Sequence, residues 1–80
     1  MKIIKMISGE HELARITDGV FTNTILCRHP FSPNFKEWYD DCFFGIENAE
    51  TFEQRYEHAK NGNYFCYSKP SVRLVIEENE

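Results

Sequence analysis

The segment His29–Gly45, HPFSPNFKEWYDDCFFG, holds six of the twelve aromatic residues of an 80-residue chain, and the way it folds decides how the rest can pack. Stepped at about 100° per residue from Ser32 onward, Phe35, Trp38, Tyr39, Cys42 and Phe43 recur at i, i+3, i+4, i+7 and i+8, with Lys36, Glu37, Asp40 and Asp41 opposite them. That spacing predicts one amphipathic helix, apolar inside and mostly acidic outside. Ser32 supplies an N-cap oxygen, and Pro33 falls at the first helical position, where its missing N–H is not needed. Gly45 suits the left-handed position that follows a helix end, so the helix is expected to stop near Phe44.

C-terminal to this stretch, residues 48–60 carry a second helical pattern with Phe52, Tyr56 and Ala59 on one side. Thr51 with Gln54 three residues later can form a capping box, and Asn61-Gly62 closes the helix. Residues 64–67 read as a short aromatic strand, Lys69-Pro70 as a turn, and residues 72–77 as a strand alternating Val72, Leu74 and Ile76 with Arg73, Val75 and Glu77. N-terminal to it, residues 2–8 and 12–17 read as two strands broken by Gly9. Asp18-Gly19 is the strongest two-residue hairpin signal in the chain, and a third strand is expected from Val20 to His29. The expected fold is therefore α+β: a five-strand antiparallel sheet, in the order β-β-β-α-α-β-β, with two amphipathic helices on one side.

Length and composition restrict what such a fold can do. Eighty residues make a single domain, 1–80, with a small core that large aromatics fill efficiently. Hydrophobic content of 41% with 28% charged residues excludes a disordered composition. No apolar run approaches the roughly 20 residues of a membrane span, and the start has too short an apolar stretch for a secretory signal. A cytoplasmic, unprocessed protein is expected. Three cysteines, Cys27, Cys42 and Cys66, are an odd number without paired spacing, so reduced thiols packed as small hydrophobes are expected.

The sequence carries no recognisable catalytic constellation. Cys27-x-His29, Cys42, His58 and Cys66 lack the C-x₂₋₄-C pairs of structural zinc sites. Nothing gives a cysteine the helix N-terminus or basic setting that would activate its thiol. His11-Glu12 lacks the second histidine of a metalloprotease helix, and the four glycines are isolated turn residues, not a phosphate loop. No catalytic residue, metal or cofactor is assigned, and the protein is not expected to be an enzyme. Lys2, Lys5, Arg15, Arg28 and Lys36 are scattered, and a pI of about 5.3 runs against direct nucleic-acid binding.

Charge is distributed unevenly. Between Glu37 and Glu57 seven acids face one base, Arg55, a balance of −6, while the whole chain carries −4. Helical phasing turns Glu37, Asp40 and Asp41 outward on the first helix and Glu50, Glu53 and Glu57 outward on the second. Two neighbouring helices would then display one acidic surface. Two readings compete: an ordinary solvated face that keeps a small domain soluble, or a docking surface that attracts and steers a basic partner.

Three stretches resemble a known family. The opening KIIKMISGEHELARITDG, the His29-Pro30 pair and the closing SVRLVIEENE are similar to the first and last thirds of small phage-encoded Sm-like proteins. These begin with a strand, a Ser/Thr-Gly-Glu turn and a second strand, and end in a hydrophobic strand and an acidic tail. The resemblance implies a five-stranded barrel, a ring oligomer and RNA binding, and the two-helix middle departs from it. In general character the chain is also similar to phage inhibitors of host defence, including anti-CRISPR proteins. The expected function is non-catalytic: an inhibitor or adaptor that docks Glu37, Asp40, Asp41, Glu50, Glu53 and Glu57 on a basic protein surface, of the kind that holds nucleic acid. The competing readings are a Sm-like or SH3-like oligomeric domain binding RNA or peptide, and a small Cys/His-dependent enzyme or metal protein.

Overall fold

Strands β1 (Lys2–Ser8), β2 (His11–Thr17) and β3 (Val20–Asn23) form an antiparallel meander in a computed structural model that describes residues 1–24 and 35–78. Asp18 and Gly19 both take positive φ, 48° and 94°, as a two-residue turn matched to strand twist requires. The turn is fixed further by the Lys2 backbone N–H donating to the Asp18 carboxylate at 2.9 Å. The pairing of β1 with β2 passes from Met6 opposite Ala14 to Ile7 opposite Glu12. Leu13 is thus the extra residue of a bulge, which lets Leu13 and Ala14 both enter the core although they are consecutive.

Among the described residues the expected five-strand sheet does not form. They make a four-strand antiparallel sheet in the order β3-β2-β1-β4, in which β4 (Val72–Glu78) pairs with β1. The class is α+β, but residues 64–67 contribute no strand. Their backbone is claimed elsewhere, because the Phe65 N–H donates to the Cys42 carbonyl at 3.1 Å. Tyr64 instead lends its side chain to the sheet edge: its hydroxyl accepts from the Leu74 N–H at 2.9 Å and donates to the Leu74 carbonyl at 3.3 Å. A single side chain thereby satisfies the outward-facing groups of an edge strand at the position where a fifth strand was expected.

Helices α1 (Phe35–Asp41) and α2 (Phe52–Lys60) cover one face of the sheet. The core lies between them and Ile4, Met6, Ala14, Ile16, Val72 and Leu74, with Phe35, Tyr39 and Phe43 from the α1 side and Tyr56 and Ala59 from α2. The capping box of α2 forms as the sequence suggests, with Thr51 accepting from the Gln54 N–H and Gln54 accepting from the Thr51 N–H. Helix α1 is shorter than expected. Beyond Asp41 the chain tightens into three-residue turns, with Phe43 N–H to Asp40 and Phe44 N–H to Asp41 at 3.1 and 3.2 Å, until Gly45 takes φ 77°. Two adjacent aspartates at the negative end of the helix dipole, with no basic residue in that last turn, favour this early stop. Trp38, expected in the core, is half-buried beside it, edge-on to Phe35 and capped by the Lys69 ammonium at 5.9 Å.

The cysteines also depart from expectation. Cys42 and Cys66 are joined in a disulfide, both buried. They lie 24 residues apart, a separation that carries no pairing signature in sequence. Cys27 with His29, the continuation of β3 to His29 and the Ser32-Pro33 helix start lie outside the described residues. Among the described residues no helix is long and apolar enough to cross a membrane.

Candidate functional site

At the C-terminal end of α1, the segment 41–44 runs beside the segment 65–68, and three bonds tie them together. They are the Cys42–Cys66 disulfide, the Phe65 N–H donating to the Cys42 carbonyl, and the Ser68 hydroxyl donating to Asp41 Oδ2. Cys42 and Cys66 are buried, whereas Phe65 and Tyr67 on either side of Cys66, and Phe44 beyond the buried Phe43, turn outward. Phe44, Phe65 and Tyr67 are 74%, 55% and 59% exposed. Tyr67 meets both phenylalanines edge-to-face, with centroids 6.2 Å from Phe44 and 4.8 Å from Phe65. Asp41, Phe44 and Tyr67 line an open groove of about 400 Å³. Three large aromatics held in water by a covalent and two polar links are unusual in a domain with few apolar residues to spare.

Sequence periodicity missed this cluster. Phe44 follows Phe35 by nine residues, half a turn out of phase with the apolar stripe, and Phe65 and Tyr67 share one side of extended backbone with Cys66 on the other. Both are the signals of outward-facing side chains, but only the cross-link brings the two sets together.

The six predicted acids divide into groups. Asp40 is committed inside the molecule: its carboxylate accepts from the Lys36 ammonium at 2.9 and 3.0 Å and from Arg55 Nη1 at 2.8 Å. Arg55 also donates through Nε to the Ala49 carbonyl at 2.8 Å and lies against the rings of Tyr39 and Phe43, 4.9 and 5.2 Å from their centroids. The lone base among the acids is thus the tie between α2, α1 and the intervening loop. Burial works to raise the Asp40 carboxyl, but the Arg55 and Lys36 hydrogen bonds outweigh it and hold the group below its ordinary value. Burial raises the Tyr39 hydroxyl against the opposing effect of Arg55. Asp41 faces the groove. Glu50, Glu53 and Glu57 are exposed, and their carboxylates meet no partner among the described residues; Glu37 is exposed on α1.

On the opposite face of the sheet the basic residues are largely paired, Lys5 with Glu77 at 2.8 Å and Arg15 with Glu12 at 2.8 Å. Hydrogen bonding from Arg15, opposed by burial and helped by Thr24, lowers the Glu12 carboxyl. A second, smaller cleft of about 170 Å³ opens between the β2–β3 turn and both helices, lined by Lys36, Tyr39, Glu50 and Arg55 among others. Its two cations are those already bound to Asp40. Among the described residues no group of three His, Cys, Asp or Glu side chains is placed to hold a metal ion. No protein-family model, curated protein or solved structure matches this chain.

Proposed function

We propose that this protein acts by non-catalytic contact with another protein, as an inhibitor or adaptor that sets its acidic helical half on a basic surface of the partner, of the kind that holds nucleic acid. What supports this reading above all is the clamped, exposed aromatic cluster of Phe44, Phe65 and Tyr67, with Asp41 lining its groove at the end of α1. Exposed aromatics clamped in place supply the desolvated centre that interfaces use for affinity, and the acids of the helical half supply steering and register. The exposed Glu37, Glu50, Glu53 and Glu57 and the half-buried Asp41 are the docking acids in this reading, and Asp40 serves them indirectly by fixing α1 against α2. Pairing of Lys5 and Arg15 with acids reduces the positive charge that the opposite face offers to RNA.

The test is a charge-reversed variant, Glu50→Lys, Glu53→Lys and Glu57→Lys together, compared with wild type against a partner recovered by pull-down from the source cell. Exposed acids contribute within about 0.5 kcal/mol each to stability, so the melting temperature should stay close to wild type. Partner binding should weaken by at least tenfold at low salt, with the difference shrinking at high salt. Unchanged binding in the reversed variant overturns the reading.

A further inference from the structure

We infer that the groove lined by Asp41, Phe44 and Tyr67 receives an arginine side chain from the partner, with its guanidinium against the two rings and paired to the Asp41 carboxylate. This rests on the docking reading above and names the group that anchors it. The molecule already contains the same chemistry, with its acid and phenylalanine, Asp40 and Phe43, each one residue before Asp41 and Phe44. Asp40, Tyr39 and Phe43 together hold the guanidinium of Arg55, with a carboxylate contact of 2.8 Å and ring distances of 4.9 and 5.2 Å. Asp41, Phe44 and Tyr67 repeat that set of one carboxylate and two aromatic rings, here on the outside and around an open groove of about 400 Å³.

The details suit a cation better than an apolar guest. Asp41 gives one oxygen, Oδ2, to Ser68, and Oδ1 meets no partner among the described residues. Phe44 and Tyr67 meet at 87°, so the two rings offer an edge-to-face corner and not a closed stack. The local balance of −6 between Glu37 and Glu57 attracts positive charge and repels acidic or phosphorylated groups. Arginine is favoured over lysine because a planar guanidinium stacks on a ring and pairs with a carboxylate at once, whereas an ammonium is a compact, strongly hydrated point charge. The three ties between segments 41–44 and 65–68 hold the groove open before the guest arrives, which lowers the ordering cost of binding.

The experiment is an NMR titration of the whole protein with three short peptides that differ at two positions only, occupied by arginine, by lysine or by citrulline, the uncharged isostere of arginine. The arginine peptide should shift the ring resonances of Phe44 and Tyr67 saturably. The lysine peptide should bind at least threefold more weakly, and the citrulline peptide should leave the rings unmoved. Phe44→Ala and Asp41→Asn should each weaken the arginine peptide at least threefold, the second keeping a side-chain oxygen for Ser68 and an unchanged amide spectrum elsewhere. Shifts confined to Glu50, Glu53 and Glu57 overturn the arginine anchor while leaving the acidic docking surface standing. Equal binding of the citrulline peptide makes the groove an apolar site and overturns the inference, as does no ring response to any peptide. Ring shifts that follow protein concentration without peptide assign the groove to a second copy of the chain and likewise overturn it.

Discussion

Tyr64 illustrates how much one side chain can decide. Its hydroxyl completes both outward backbone groups of Leu74, so the middle of β4 offers no free pair to an incoming strand. Tyr64→Phe keeps the ring near Phe43 and removes only that hydroxyl. Leaving a partly buried donor and acceptor unmet costs about 1–2 kcal/mol. The expected outcome is a lower melting temperature and faster hydrogen exchange at the Leu74 amide, with exchange at Met6 much less affected. In the sequence Tyr64 is indistinguishable from a strand residue, because alternation reports an extended backbone and not what that backbone bonds to. Arg55 is equally silent there: one base among seven acids looks like a surface residue, and only the fold turns it into the junction of the helical half.

At the scale of elements, short-range chemistry was legible and long-range pairing was not. The Asp18-Gly19 turn and the Thr51–Gln54 capping box rest on groups within four residues of one another, and both stand in the structure. The partner of β4, the cross-link of Cys42 to Cys66 and the early end of α1 depend on groups far apart in sequence or on the balance of a helix end. Of the candidate site, the acids on α2 could be read from helical phase, whereas the aromatic cluster could not, since its halves are about twenty residues apart. The junction of α1 with α2 gives a test in acid. Asp40 has a lowered folded pKa, so its stabilisation is present above the ordinary carboxylate pKa and is lost as pH falls through the folded value. The wild type should therefore be more stable than Asp40→Asn at neutral pH, with the gap closing below about pH 4. Thermal melts of both proteins from pH 7 to pH 2 check this, and a gap independent of pH would mean that Asp40 stabilises without its charge.

On the scale of the whole molecule, the exposed site and the folded core share one cross-link. Closing a loop of 24 residues is worth roughly 3 kcal/mol in the chain-entropy account. Reduction should lower the melting temperature clearly, with two thiols appearing per chain from Cys42 and Cys66, and it should broaden the ring signals of Phe44 and Tyr67. In a reducing compartment the two walls of the groove are held by the Cys42–Phe65 and Asp41–Ser68 hydrogen bonds alone. The affinity of the site and the redox state of its surroundings are then linked.

The sheet order carries a consequence for how this molecule comes into being. β1 lies in the interior of the sheet, paired with β2 on one side and with β4 on the other, Lys2 standing opposite Glu78. The hairpins of the meander can zip as soon as they are synthesised, but the central strand waits for the last one. Until β4 arrives, one edge of β1 is unpaired and α2 packs against β1 without β4. Closure is thus a late, long-range event with a high loop entropy, so the β1–β4 ladder is expected to set the folding rate. Loss of a few residues at the far end of β4 would be felt first at the beginning of the chain.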